Sequence, residues 1–133
     1  MVVASRYMRG GRQIGGPWLK GQLARFGGRS LRWIAGFPVS DATNSFRLYD
    51  AALVKKIEVE SPAGFVVGFE ITVKAWMAGA RIVEVPSTWR DRVAGESRFD
   101  LRRWMPLYAR VWWLAMGHGL RRRLRRGDYP TEK

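Results

Sequence analysis

Apolar positions along the chain repeat at helical spacing in three places and cluster as short strand-like runs in three others. Residues 1–4 read as a strand that delivers Ser5, Arg6 and Tyr7 to its carboxyl end. Residues 8–16, with four Gly and two Arg, read as a mobile basic loop. Pro17 suits the first position of a helix, where its missing N–H has no partner to lose. Leu19, Leu23 and Phe26 then keep i, i+4, i+7 spacing. Gly27 and Gly28 weaken or break that helix, and Ser30 caps a second piece reaching Ile34. After a turn at 36–40 and a polar cluster at 41–45, Phe46 to Tyr49 read as a strand, and Asp50 as the N-cap of a helix over 51–57.

The clearest helix covers residues 66–78, with Phe69, Val73, Trp76 and Met77 on one face and Gly79 as its stop. Glu70 and Lys74 stand four apart in the favourable order. Residues 80–86 are an apolar, β-branched run that predicts a buried strand, followed by Trp89, Arg90, Asp91 and Arg92 and a loop around Gly95. From residue 101, a projection at 100° per residue puts Leu101, Trp104, Tyr108, Val111, Trp112 and Ala115 on one face and Arg102, Arg103 and Arg110 opposite or beside it. Pro106 is expected to split this segment in two. Aromatics on one side and Arg on the other suit a helix lying in a membrane interface; packing on the protein's own core, or on a partner, is the competing explanation. The fold class is α/β. The expected organisation is a domain over 1–100, amphipathic interfacial helices and an Arg-rich tail over 101–126, and a disordered tail over 127–133.

Charge changes the picture more than composition does. The 133 residues carry 24 Lys and Arg against 11 Asp and Glu, a net charge of +13, together with seven Trp. That balance calls for a polyanionic neighbour: nucleic acid, an anionic membrane, or phosphorylated ligands. With no Cys there is neither a disulfide framework nor a thiolate metal site. The most apolar stretch, 104–120, is short of the ~20 predominantly apolar residues a membrane span needs and contains Arg110 and His118.

The sequence holds no phosphate loop of the GxxxxGK[ST] type, no dinucleotide fingerprint and no Asp-x-Asp pair. Glu58 and Glu60 are the nearest to such a pair, ahead of a Ser-Pro turn. His118, between two glycines in the basic tail, reads as solvated or facing lipid headgroups. What stands out is the loop leaving the strand at 80–86. A ligand site in an α/β protein usually lies at such a carboxyl end. Arg90, Arg92 and Arg98, with Ser97 beside them, suit a ligand rich in anionic oxygens, because a guanidinium meets phosphate with two hydrogen bonds at once. Exposed loop arginines, one of them paired with Asp91, are the plain alternative.

Three blocks in order resemble the C-terminal half of a polyprenol-phosphate (dolichol-phosphate) mannosyltransferase-like family of inverting family-2 glycosyltransferases. They are SRYMRGG from Ser5, DATNSFRLYD from Asp41, and FEITVKAWMAGARIVEVPSTWRDRVAGESRF from Phe69. The resemblance implies a partial GT-A fold that lacks the N-terminal nucleotide-binding strands, with C-terminal amphipathic interfacial helices. It implies transfer of mannose or glucose from a nucleotide diphosphate sugar to a polyprenyl or dolichyl phosphate, on the cytoplasmic face of a membrane. By position, Arg6 and Lys20 would meet the acceptor phosphate, and Arg92 and Arg98 the donor diphosphate, offsetting charge on the departing nucleotide. Asp41 would help shape the acceptor side, and Glu70 is the family's helix glutamate. The catalytic set is thus Asp41, Arg92 and Arg98, with Ser5, Glu70, Arg90 and Ser97 as further candidates. A divalent metal, Mg or Mn, is implied, with ligands outside this chain. Lys20 stands where Arg is frequent, Arg98 where Lys is common, Ala24 where a phosphate-binding Ser is expected, and Ser45 where Gly precedes Phe46. The family's nucleotide-binding strands precede the first block, so a fragment, or a separate chain completing the fold, is expected.

The chemistry fits the inventory. A phosphate monoester is mostly dianionic at pH 7, so the nucleophile is already ionised and needs no strong base. The protein must supply position and positive charge. A nucleic-acid-binding module and a non-catalytic membrane-surface protein are the alternatives; the first is disfavoured because the Trp residues fall at helix positions rather than between arginines on one sheet.

Overall fold

Val2–Ser5 forms β1, with Val3 and Ala4 buried. It pairs antiparallel with β3 (Arg47–Leu48), Val2 opposite Leu48, and parallel with β4 (Val83–Pro86), Val2 opposite Val83 and Ser5 opposite Pro86. The sheet order is β3–β1–β4. The computed structural model describes residues 1–62, 64–91 and 101–127, leaving aside the side chains of Phe65, Leu101, Arg126 and Gly127. The fold is mixed α/β, as the blocks of apolar periodicity predict.

The loop expected over 8–16 instead contains a strand, β2 (Arg12–Ile14), which pairs in parallel with β5 (Thr88–Arg90). Arg12 lies opposite Thr88 and Ile14 opposite Arg90. The reason is positional: β1 and β4 run parallel, and the chain leaving each continues beside the other. Gly11 permits the turn between β1 and β2, since a Cβ there would lie 2.3 Å from the Ser5 carbonyl oxygen.

Pro17 is the N-cap rather than the first helical residue, and α1 (Trp18–Ser30) runs unbroken through Gly27 and Gly28 into a π-helical turn, Leu31–Ala35. Neither glycine breaks the helix, and Gly28 is a contact point, whereas a Cβ on Gly27 would meet open space. A Cβ on Gly28 would sit 2.1 Å from the Ser40 carbonyl oxygen. The low helix propensity of Gly28, about 1 kcal/mol, is offset by packing that only a bare backbone permits. Ser30 caps nothing; its hydroxyl donates to the Gly27 carbonyl at 3.0 Å. Leu19, Leu23 and Phe26 do share a stripe, but it faces outward: Phe26 is 71% exposed and Trp18 74%.

Asp50 caps α2 (Ala51–Lys55) as expected, its carboxylate accepting from the Leu53 N–H at 3.0 Å. A 3-10 turn (Gly64–Val66) leads into α3 (Val67–Met77). Phe69, Val73 and Trp76 of α3 are buried, and Gly79 closes it at φ +78°. Phe37 is fully enclosed between them, edge-on to Phe69 with ring centroids 6.4 Å apart and to Trp76 at 5.2 Å. Each such side chain contributes about 1.5–3 kcal/mol of burial.

The strand expected to be buried over 80–86 is shorter and largely exposed. β4 is the edge of the described sheet, and Val83 and Val85 keep 43% and 40% of their surface.

α4 (Leu101–Gly127) is one helix of 27 residues, not two. Pro106 lies in its second turn, where it removes one hydrogen bond, a cost of roughly 3 kcal/mol. The turns beyond it supply the compensation. Val111, Ala115 and Met116 are buried against the π-helical turn and α3, and Tyr108 stacks on Phe69 with centroids 6.0 Å apart. The aromatic face read as lipid-facing therefore packs on the protein's own core. His118 is partly exposed and lies edge-on to Trp76 at 4.8 Å, and burial, then Arg122 and Arg121, push its pKa down. Gly119 marks the closest crossing, where a Cβ would lie 2.2 Å from the Ala35 carbonyl oxygen. Gly119→Ala is expected to cost about 1–3 kcal/mol by overpacking, read as a lower urea midpoint at unchanged slope.

Candidate functional site

Where β1 ends, its last residues turn toward the polar loop at 41–45. Ser5 is buried, and its hydroxyl accepts from the N–H groups of Tyr7 and Met8 at 3.3 and 3.2 Å, which fixes the turn. Arg6 is thereby aimed at Asp41. Its Nε donates to Asp41 Oδ2 at 2.7 Å, its Nη2 to Oδ1 at 2.8 Å, and its own backbone N–H to Oδ2 at 3.0 Å. Nη2 also reaches the Thr43 hydroxyl at 3.0 Å. Asp41 is fully buried, whereas the Arg6 side chain keeps 13% of its surface. Burial alone would lower the Arg6 pKa; the Asp41 hydrogen bond and charge outweigh it and raise it, so Arg6 is a fixed cation. Arg6 Nη1 makes no hydrogen bond among the described residues.

Three side chains the sequence reading passed over hold this pair in place. Glu84 of β4 accepts from the backbone N–H groups of Ser40 and Asp41 at 2.5 and 3.2 Å, and from Arg32 Nη1 at 3.0 Å. Asn44 donates to the Ala4 carbonyl at 2.8 Å. Arg47 Nη2 donates to the Ala42 carbonyl at 2.5 Å, while its Nε and Nη1 are buried without partners and burial pulls its pKa down. Glu84 had a signal: a lone carboxylate in an apolar strand must find partners when enclosed.

Beyond Arg6 stands an aromatic wall. The Arg6 guanidinium lies 4.8 Å from the Tyr7 ring centroid and 5.9 Å from that of Trp89, and Arg25 of α1 lies 5.0 Å from the same Tyr7 ring. The Tyr7 hydroxyl donates to Gln13 Oε1 at 2.9 Å, and burial raises its pKa. Partly exposed cation–π contacts of this kind contribute about 0.5–1 kcal/mol.

Of the residues singled out by sequence, Ser5, Arg6 and Asp41 come together here. Arg90 is exposed on β5, the residue after Trp89, and Lys20 is half-buried on α1. Glu70 belongs to a separate network. It accepts from the backbone N–H groups of Glu60 and Ser61 at 2.7 and 2.8 Å and pairs with Lys74 at 2.8 Å, while Glu60 pairs with Lys74 at 2.7 Å and with Arg110. Burial alone would raise the Glu70 carboxyl; hydrogen bonds from Lys74, Ser61 and Glu60 bring it down to about 2. Glu70 thus pins the segment before α3. Arg92, Ser97 and Arg98 lie outside the described residues.

Among the described residues, no group of three or more His, Cys, Asp or Glu stands together to hold a metal ion. The divalent metal implied by the resemblance has its ligands assigned outside this chain, and no step here runs through it. No described helix is long and apolar enough to cross a membrane.

No family model matches the chain, and no solved structure matches it. Curated proteins do match, among them the following two. The undecaprenyl-phosphate mannosyltransferase of Micrococcus luteus is 30% identical over 102 residues, which cover 75% of this chain and 42% of that protein. The polyprenol monophosphomannose synthase of Mycolicibacterium smegmatis is 28% identical over 102 residues, 75% of this chain and 38% of its own length. The resemblance carried by the three sequence blocks is thereby borne out. This chain is a homologue of the polyprenyl-phosphate mannosyltransferases that spans about two fifths of the length of the curated relatives it matches.

Proposed function

We propose that this chain carries the acceptor side of a GT-A glycosyltransferase that moves mannose or glucose, with inversion, from a nucleotide diphosphate sugar to a polyprenyl or dolichyl phosphate at a membrane surface. The observation that carries the reading is the Arg6–Asp41 pair: a cation held rigidly at the end of β1, with one amino group to spare beside two aromatic rings. A dianionic phosphate needs such a pre-placed charge more than it needs a base, because little reorganisation is left for the reaction itself. Asp41 serves as the orienting carboxylate, and its burial keeps Arg6 from swinging to solvent.

Arg92 and Arg98 are assigned, on sequence grounds, to the donor diphosphate, and Lys20 to the acceptor phosphate. The nucleotide sugar and any divalent metal are held mainly by a segment outside these 133 residues, on the same chain or another. Two facts support that: the short coverage of the relatives, and the exposed Val83 and Val85 on the edge strand β4. An unpaired apolar edge is a ready template for another strand.

The membrane contact moves from α4 to α1. Trp18, Phe26 and Trp33 are each more than 70% exposed along one stretch that also bears Lys20 and Arg29. Aromatics and basic residues together suit peripheral seating on the anionic cytoplasmic face. Trp18→Ser with Trp33→Ser should lower partitioning to anionic vesicles by about tenfold or more, measured by flotation.

The decisive experiment supplies the chain with the remaining portion of the Micrococcus luteus relative, fused or in trans, and follows radiolabelled mannose from nucleotide diphosphate mannose into undecaprenyl phosphate. Labelled lipid that falls about a hundredfold or more with Arg6→Ala supports the reading. Absence of labelled lipid from a fusion that is folded and vesicle-bound overturns it.

A further inference from the structure

We propose that Arg25 is a second cation, beside Arg6, for the head of the polyprenyl phosphate, with the isoprenoid tail lying along Phe26, Trp33 and Ile34. The proposal rests on reading the acceptor as a polyprenyl phosphate, and it assigns a residue and a tail path which that reading leaves open.

Arg6 is already committed. Asp41 and Thr43 take its Nε and Nη2, so an incoming phosphate finds Nη1 alone. Arg25 is the complement. It is half-buried, forms no ion pair among the described residues, and stands over the Tyr7 ring that also carries Arg6. Two guanidinium groups thus share one ring, and only the Arg6 charge is matched by a carboxylate. An anion placed by Tyr7 would meet the unmatched charge of Arg25 and the spare amino group of Arg6 together.

The approach of α1 to this corner is built in. Gly21, one turn before Arg25, leaves room for Gln13, whose Nε2 would lie 3.3 Å from a Cβ placed there. Gln13 in turn holds the Tyr7 hydroxyl. Arg25 thus stands against a Tyr7 ring that Gln13 orients.

On its other side, Arg25 borders an open hollow of about 410 Å³ shared with Gln22, Phe26, Arg29, Trp33 and Ile34. Phe26 and Trp33 are 71% and 72% exposed, an apolar wall flanked by two arginines. Free phosphate has no use for such a wall. An amphiphile with one anionic end fits it: head at Arg25, tail over the rings.

The test uses the 133-residue chain and neutral phosphatidylcholine vesicles, plain or doped with a few mole per cent of undecaprenyl phosphate or of phosphatidylglycerol. Binding is measured by sedimentation, with inorganic phosphate as competitor and near-ultraviolet circular dichroism to confirm folding. Wild type should prefer the undecaprenyl phosphate vesicles, and Arg25→Ala should lose about tenfold of that preference. Arg25→Lys should keep part of it, and Lys55→Ala, a charge-matched exposed control on α2, all of it. Phe26→Ser with Trp33→Ser should weaken lipid binding while leaving competition by inorganic phosphate unchanged. A folded Arg25→Ala protein that keeps the full preference overturns the assignment and leaves the acceptor reading standing. A wild type without preference for the polyprenyl lipid overturns both. Displacement by inorganic phosphate as effective as by the lipid itself removes the tail path.

Discussion

Asp41→Asn is expected to lower the unfolding free energy at pH 7 by about 3 kcal/mol, among the largest effects of any single substitution in this chain. The carboxylate is fully buried and takes three hydrogen bonds from Arg6 and one from Thr43, so an amide leaves the guanidinium enclosed with no counter-charge. The pair is not itself a large source of stability. Exchanging both partners for apolar residues of similar size, Arg6→Met with Asp41→Leu, should restore most of the loss, because two desolvated charges then vanish together. Urea titration of the four proteins of that cycle measures the coupling. The double variant should remain unable to distinguish vesicles carrying undecaprenyl phosphate from plain ones. Recovery of lipid recognition alongside stability would show that Arg6 only shapes the fold.

The second large effect concerns acid. The Glu70 carboxyl lies at about 2 in the folded protein against 4.5 as its ordinary value, so the folded state binds its proton more weakly than the unfolded chain does. Stability from this group is therefore complete above about pH 5 and is lost as the pH falls toward 2, a contribution on the order of 3 kcal/mol. Glu70→Gln should lower stability at pH 7 by a similar amount and flatten the curve between pH 5 and pH 2. Thermal melting across that interval checks both. A Gln variant with an unchanged acid limb would place the sensitive carboxylate elsewhere.

The sequence made α3 readable because local signals and tertiary demand agree there. Phe69, Val73 and Trp76 repeat at helical spacing, Glu70 and Lys74 pair across one turn, and Gly79 stops the helix. Asp50 is readable for the same reason. α1 misled because its spacing points the wrong way: Leu19, Leu23 and Phe26 look like a core face, yet the side turned inward carries Gly21 and Gly28, where close approach replaces side-chain burial. Periodicity scores side chains and is blind to a backbone used as a surface. β2 was hidden by its glycines, since strand pairing with β5 is a long-range fact. At the site, the motifs gave Arg6 and Asp41 as separate candidates. That they form one unit is a contact across 35 positions which no local pattern encodes. The arginines most prominent in the sequence, Arg92 and Arg98, fall outside the described residues, and Arg25, the cation beside Tyr7, belongs to none of the three sequence blocks.

Trp112 donates its indole N–H to the Ser30 hydroxyl at 3.1 Å, joining α4 to α1 across 82 positions. Phe37 and Trp76 are thus completed only by a helix made after them. Until α4 emerges, the residues before it hold open an apolar surface that only those later-made residues can close, and loop closure over such a span is slow compared with helix formation. Maturation of this polypeptide should accordingly depend on chaperone occupancy during synthesis, and a chain cut just after Asp100 should be protease-sensitive.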